Sequence, residues 1–250
     1  MNPLSNNSCI LTSYLTLKKH PQHGDANNRI QGVNDQGFVK NNSFLYIKDF
    51  YNSSLKANCD VVIFHDNLSE EFVEKYTNEN IKFLKVIPSK LSNNDYRFFL
   101  YQDWLNKNFY EKVFLVDACD VIISKDPSTM NIDHDIYFCE DLVKLSDYRF
   151  GMDTFYQICN SLLLEPLLNL HNHVLLNMGV IGFNHKNAMK FLNLFCNQRK
   201  QSGLFHLNVN MTLGNYIARK YFKNIHSGES FCSEFKKYQK DRKDVYFIHK

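Results

Sequence analysis

The chain has 250 residues, enough for one large domain with a full hydrophobic core. Its 44% hydrophobic and 22% charged residues exclude a disordered chain, and the 21 Phe and 14 Tyr supply large packing units. A net charge of +3 is too weak for a nucleic-acid binder without a concentrated basic face, and no run approaches the ~18 to 20 apolar residues of a membrane span.

The first thirty residues lack a basic start followed by an apolar stretch. Seven cysteines, at 9, 59, 119, 139, 159, 196 and 232, form an odd set with no Cys-x-x-Cys pair. These observations predict reduced thiols in a soluble, cytoplasmic protein, with peripheral membrane contact left open.

Short apolar runs alternate with longer amphipathic stretches, the pattern of an α/β sheet. Cys9 to Tyr14 reads as the first strand. A long polar loop follows from Lys18 to Gly37 and holds His20-Pro21-Gln22, a length that points to function. Phe44 to Leu55 fits a helix, and Asp60 to Phe64 a strand ending at His65-Asp66. Ser69, followed by Glu70 and Glu71, opens a helix through Tyr76 as an N-cap with acidic first-turn residues. Ile81 to Ile87 is the next strand, halted by Pro88, and Asp95 to Asn108 is a helix with Phe98, Tyr101 and Leu105 on one face. Beyond it, Asp126-Pro127 reads as an N-cap with Pro at the first helical position. Asp135 to Cys139 is a strand ending at Glu140-Asp141. His173 to Phe183 is a strand whose glycines, Gly179 and Gly182, allow close approach of another backbone or a ligand. Lys186 to Lys200 and Met211 to Tyr221 are helical, and Val245 to Lys250 is a strand tipped by His249 and Lys250.

The most telling stretch is Lys112 to Ile123. The apolar run Val113-Phe114-Leu115-Val116 opens onto Asp117-Ala118-Cys119-Asp120 and closes with Val121-Ile122-Ile123. Ligands of open α/β sheets bind just beyond the carboxyl ends of such strands. Strand residues three apart point to opposite faces, so both carboxylates meet one ligand only if the chain turns after Asp117. Converging there, they repel each other unless a hard cation such as Mg²⁺ or Mn²⁺ joins them, ions that commonly also hold phosphates. On spacing alone, one Asp capping backbone and another facing water explain the pair equally well.

In this order the motifs resemble the metal-dependent glycosyltransferases of the GT-A fold, and within them the glycogenin-like, retaining group. Leu11-Thr12-Ser13-Tyr14 stands at that group's first-strand loop around the nucleotide. Asp95-Tyr96-Arg97-Phe98 stands on the helix that carries its donor-binding Arg. Asp117 and Asp120 match its acidic metal motif, with one residue more between them than usual. Asn177-Met178-Gly179-Val180 resembles its Asn-Ala-Gly-Val strand, and His249-Lys250 its late metal-binding His with a phosphate-binding Lys. His20-Pro21-Gln22, Phe64-His65-Asp66 and Tyr246-Phe247-Ile248-His249-Lys250 are also similar to small glycosyltransferases of bacterial polysaccharide clusters and large DNA viruses.

The resemblance implies a mixed, mostly parallel α/β sheet flanked by helices, forming one GT-A domain over residues 1–250. The N-terminal part would bind the nucleotide and the C-terminal part the acceptor. It implies transfer from a nucleotide sugar, foremost a uridine diphosphate sugar, to a glycan, lipid-linked or protein-linked acceptor, with retention. Asp117, Asp120 and His249 would be the metal ligands, Asp120 above all, and a mixed carboxylate–imidazole set suits Mn²⁺ better than Mg²⁺. Thr12, Ser13, Tyr14, Asp95, Arg97, Asp117, Asn177, Gly179 and Lys250 would bind the donor, with Arg97 and Lys250 on the diphosphate. Glu140, Asp141 and Asn210 fall on the catalytic side. Asn208-Val209-Asn210 carries amides where the group has an acidic residue, so a carboxylate nucleophile is lacking there.

Each residue also has a structural reading. Arg97 could pair with Asp103, Asn177 and Asn210 could cap backbone, and Glu140, Asp141 and Asp153 could form a solvated acidic loop. The His171-Asn172-His173 tripeptide lacks further ligands at metal-site spacing. The basic run Lys236 to Lys243 reads as a solvated face or a contact for an anionic acceptor. Rival functions are a nucleotidyltransferase or nucleotide-sugar hydrolase of similar fold, a non-catalytic sugar- or nucleotide-binding protein, and a glycosidase using Glu140 with Asp120.

Overall fold

A computed structural model describes residues 6–20, 32–145 and 172–250, apart from 204, 206, 236 and 238. Pro21, Gln22, Asp153, Cys159, His171, Lys236 and Tyr238 therefore lie outside the described residues. Nine strands are present among those described: β1 (Ser8–Tyr14), β2 (Asp60–His65), β3 (Ile81–Lys85), β4 (Lys112–Val116), β5 (Val121–Ile123), β6 (Ile136–Lys144), β7 (Val174–Asn184), β8 (Ile225–Ser227) and β9 (Phe247–His249). Seven form one sheet in the order β3-β2-β1-β4-β7-β6-β8, while β5 and β9 pair as a separate two-stranded ribbon. In the large sheet only β7 runs against its neighbours, so the α/β, mostly parallel expectation holds.

Strands covered on both faces must be apolar throughout, and β2 is buried at every position. Helices supply the cover. On one face α3 (Asn93–Leu105), α4 (His185–Gln201) and α5 (Asn210–Tyr221) pack Phe98, Tyr101, Phe191, Phe195 and Leu213 against Cys9 and Leu11 of β1. The rings of Phe98 and Phe195 lie 4.3 Å apart. On the other face α1 (Phe44–Ser54) and α2 (Glu70–Tyr76) bring Ile47, Phe50 and Phe72 onto Ile10 and Tyr14. The caps read from sequence are in place. Ser69 accepts the Phe72 N–H at 3.2 Å, and Asp126 accepts the Ser128 N–H at 3.0 Å ahead of a single 3-10 turn. Asn93 rather than Asp95 begins α3, because Ser92 caps the Asp95 N–H at 3.2 Å.

Three expectations are corrected. β3 ends at Lys85, two residues before Ile87, because pairing with β2 stops at His65. Glu140 and Asp141 lie within β6 rather than at its tip, since pairing with β7 resumes after an irregularity and runs to Lys144. At that irregularity Phe138 faces Ile181 but Cys139 faces Asn177, so Met178, Gly179 and Val180 bulge out of register with β6. Finally, not all cysteines are thiols. Cys139 and Cys232, 93 residues apart in sequence, form a disulfide with Cα atoms 5.2 Å apart, a pairing that spacing could not reveal. No helix among the described residues is long and apolar enough to cross a membrane.

One buried ion pair locks three helices together. Arg199 near the end of α4 donates Nε–H to Asp95 at 2.8 Å and an Nη2–H to the Leu207 carbonyl at 3.0 Å, and both charged side chains are fully buried. Asp95 also accepts the Val209 N–H at 3.2 Å, just ahead of α5. Burial pushes the Asp95 carboxyl up, with Arg199 opposing it. Removing one partner strands the other charge in the core, so Arg199→Leu should lose about 3–5 kcal/mol in urea unfolding. Adding Asp95→Asn to that variant should recover part of the loss. A single variant within about 1 kcal/mol of the parent would show that Arg199 does not hold this carboxylate.

Candidate active site

A cleft opens at the carboxyl ends of β1 and β4. Leu11 of β1 faces Leu115 of β4, so β1, running on to Tyr14, reaches two residues beyond the end of β4 at Val116. Asp117 continues past β4 by one ladder bond, its N–H donating to the Gly179 carbonyl at 2.8 Å. Residues Ala118, Cys119 and Asp120 then turn, and the chain returns as β5. β5 pairs antiparallel with β9 so that Val121 faces His249, and the Lys250 N–H donates to the Asp120 carbonyl at 2.8 Å. The turn required by the spacing of the two carboxylates is thus present, and the ribbon delivers a histidine to it.

Ligand atoms of Asp117, Asp120 and His249 all lie within 4.8 Å of one another. His249 Nε2 stands 3.5 Å from Asp120 Oδ2. The imidazole is 1% exposed and wedged by the Phe235 ring at 4.3 Å, while its backbone N–H donates to Ser233 Oγ at 3.1 Å. Two buried atoms of the cluster, Asp120 Oδ1 and His249 Nδ1, have no hydrogen-bond partner, a state that an ion or water commonly accounts for. Burial opposes ionisation of Asp120, yet His249, Cys119 and His20 together hold its carboxyl below the usual range. A carboxylate pair, an imidazole and orphaned buried atoms at this spacing fit a divalent cation.

Arg97 of α3 reaches this cluster from the opposite wall. Its guanidinium pairs with Asp117 and donates to the Met178 carbonyl at 2.9 Å, with no Asp103 partner. Asp117 therefore shares its charge with Arg97, whereas Asp120 faces the histidine. Ser13, His20, Tyr46, Asn93 and Cys119 complete the cleft. Burial pushes His20 down to about 4, with Asp120 opposing and Arg97 reinforcing the shift, so the imidazole is neutral at pH 7. Tyr46 and Asn93 carried no signal in the sequence beyond an aromatic on a helix and a polar residue after a cap.

The other named residues divide between the cleft's edge and the framework. Thr12 is fully buried, its hydroxyl without a partner. Tyr14 sits in the core, where its hydroxyl donates to the Lys40 carbonyl at 2.7 Å and accepts the Ser43 N–H at 2.9 Å. Asp95 belongs to the helix-locking pair. Asn177 Oδ1 accepts the Gly179 N–H at 2.8 Å and so shapes the bulge. Lys250 places its ammonium on Asp49 of α1. Glu140 accepts the Ser227 hydroxyl at 2.5 Å, Asp141 is buried, and Asn210 is buried with its Oδ1 unpartnered. In the basic run, Arg242 pairs with Asp244 and Glu229, and Lys237 with Glu234.

No protein-family model matches the chain, and no curated protein matches it in sequence. Its fold, however, is similar to solved glycosyltransferase structures. The galactosyltransferase LgtC, in complex with donor and acceptor sugar analogues, superimposes with a TM-score of 0.52 at 11% identity over 96% of this chain and 86% of that one. A structure of an active-site mutant of LgtC gives the same values. The bifunctional glycosyltransferase WbbM gives a TM-score of 0.57 at 13% identity, covering 100% of this chain and 46% of WbbM. These matches establish the fold.

Gly179 offers a direct test of the cluster. A Cβ there would lie 2.3 Å from His249 Cε1 and 2.9 Å from Asp117 Oδ2, so Gly179→Ala must displace the imidazole. Mn²⁺ affinity read by electron paramagnetic resonance should fall at least tenfold, as for displaced metal-ligand supports, while circular dichroism stays that of the parent. Parental affinity in the folded variant would remove His249 from the ligand set.

Proposed function

We propose that this protein is a metal-dependent, retaining glycosyltransferase that moves a sugar from a uridine diphosphate sugar to a glycan, lipid-linked or protein-linked acceptor. The observation that carries the reading is the meeting of Asp117, Asp120, His249 and Arg97 at the carboxyl edge of the sheet. A fold shared with LgtC, a galactosyltransferase solved with donor and acceptor sugar analogues, supports it. The N-terminal strands β1 to β4 form the nucleotide side and the segments after β6 the acceptor side of one domain.

Asp120 and His249 hold the metal with Asp117, and their mixed ligand chemistry favours Mn²⁺ over Mg²⁺. Such an ion, when bound, stabilises negative charge on phosphate oxygens as a Lewis acid. Arg97 adds a fixed cation, and a guanidinium held by Asp117 and the Met178 carbonyl needs no reorganisation as charge builds on the leaving group. Lys250 joins it by exchanging Asp49 for the diphosphate. Ser13 lines the nucleotide end of the cleft with Thr12 buried behind it in β1, and Gly179, by making room for the His249 imidazole, shapes the metal-binding edge of the donor site. Asn210 stands where a carboxylate nucleophile would be needed for a covalent route, and its amide instead orients sugar hydroxyls. The acceptor proton then passes to the leaving diphosphate on the same face of the sugar, with Glu140 and Asp141 as supporting residues.

Donor turnover should vanish with chelator and return with Mn²⁺. Asp120→Ala should lower kcat by orders of magnitude while the melting temperature without ligand stays nearly unchanged. Full activity in chelator would remove the metal from the mechanism.

Stereochemistry is a separate test. The product's anomeric configuration, read by NMR, should equal that of the donor, and Glu140→Gln and Asp141→Asn should each keep measurable turnover. Loss of a protein base typically lowers rates 10²–10⁴-fold. An inverted product together with a near-dead variant at either carboxylate would overturn retention and leave glycosyl transfer standing.

A further inference from the structure

Beside the cleft lies a second, shallower groove. The same two segments wall both. Leu15 and Asn93 face the cleft, while Leu17 and Ser92 face the groove. Its remaining character is chemical. Lys18, Lys19 and Lys90 bring three ammonium groups to it, and Phe38 and Phe205 bring two aromatic rings. Leu17 and Phe205 are each 47% exposed.

Among the described residues no carboxylate lines the groove, and none of its three lysines is in an ion pair. Asp66, the carboxylate bonded to this segment, is already occupied by the Thr16 N–H at 2.8 Å and the Leu17 N–H at 3.1 Å. Lys18 donates to the Leu91 carbonyl at 2.5 Å, and Lys19 stands 6.0 Å over the Phe38 ring. These contacts hold the Lys18 and Lys19 side chains in place, and no described carboxylate compensates their charge. Partial burial pulls the Lys18 pKa down, a penalty that a bound anion would offset.

We propose that the groove binds the acceptor and that the acceptor sugar carries a diphosphate. The proposal rests on the glycosyl-transfer reading and names its substrate class. Three cations exceed what one carboxylate matches, and an uncharged glycan would leave all of them unanswered. A diphosphate carries two to three negative charges on oxygens that accept from lysine as from a point charge. The exposed Phe205 ring suits the apolar face of a sugar ring, and Phe38, half-buried beneath Lys19, lines the groove as well. Leu15 and Leu17, two residues apart on one segment, put this ligand next to the donor cleft.

The test titrates the full chain by calorimetry, with UDP and Mn²⁺ saturating the cleft. The probes are a short-chain alkyl diphosphate of a hexose, the matched uncharged alkyl hexoside, the matched alkyl hexuronoside and inorganic pyrophosphate. At low salt the sugar diphosphate should bind at least tenfold tighter than each of the other three. Lys19→Gln with Lys90→Gln should erase most of that preference while UDP affinity and melting temperature stay those of the parent. Equal binding of charged and uncharged sugars, or an undiminished preference in the double variant, would overturn the groove. Hexuronoside binding as tightly as the diphosphate would overturn the phosphate assignment, and pyrophosphate binding as tightly would overturn the sugar contact. Failure of UDP itself to bind would instead strike the reading under which the groove serves an acceptor, and the same four titrations without nucleotide would still decide its anion preference.

Discussion

The site depends on one departure from regular sheet geometry, the bulge of Met178, Gly179 and Val180 in β7. At these residues β7 leaves its register with β6 but keeps its bonds to β4, where Val180 faces Val116 and the Gly179 carbonyl takes the Asp117 N–H. The buried Met178 carbonyl becomes an anchor for Arg97, and the missing Cβ of Gly179 becomes the space that His249 occupies. Asn177 closes the bulge from within through its own side chain. One local irregularity therefore sets the positions of a carboxylate, a guanidinium and an imidazole that come from separate elements.

Electrostatics then divides the labour inside that frame. Two carboxylates this close repel, and each has a different remedy. Asp117 is neutralised by Arg97, whereas Asp120 relies on the buried His249. The remedy for Asp120 is incomplete, as its unpartnered Oδ1 and that of His249 Nδ1 show, and an incompletely satisfied buried cluster is costly unless a ligand completes it. The Arg199–Asp95 pair, by contrast, is satisfied on every side and serves only to hold α3, α4 and α5 in place. Arg97 sits two residues after Asp95, so the rigid pair also fixes the helix from which Arg97 reaches the cleft.

Much of this was legible in the sequence because it follows from local rules. Apolar runs, caps at Ser69 and Asp126, and the buried face Phe98-Tyr101-Leu105 each express a preference that a few neighbouring residues decide. The meeting of Asp117 with Asp120 was legible too, since the small residues between them allow the turn. What escaped was non-local. The continuation of β6 through Glu140 and Asp141 depends on the bulge in β7, and the Cys139–Cys232 disulfide depends on how the segment before β9 docks on β6. Tyr14 and Asp95 were read as donor residues because they flank the right motifs. Both are buried, Tyr14 on the backbone of Lys40 and Ser43, and Asp95 on Arg199, surroundings that motif position does not encode.

The low identity to LgtC and WbbM, 11% and 13%, is consistent with a fold built this way. The sheet asks only for apolar strands of the right length, which many sequences satisfy. The bulge asks for backbone bonds and for a residue without a Cβ, and the turn after Asp117 asks for small residues. Few side chains are specified by the frame, so the frame tolerates wide change elsewhere. The surfaces that meet substrates are under no such economy, because they answer to the charge and shape of what they bind. The three lysines beside the cleft belong to that second kind of residue. Lys18 and Lys19 also serve the fold, through the Leu91 carbonyl and the Phe38 ring, and it is the charge they carry, not their packing, that the proposed ligand answers.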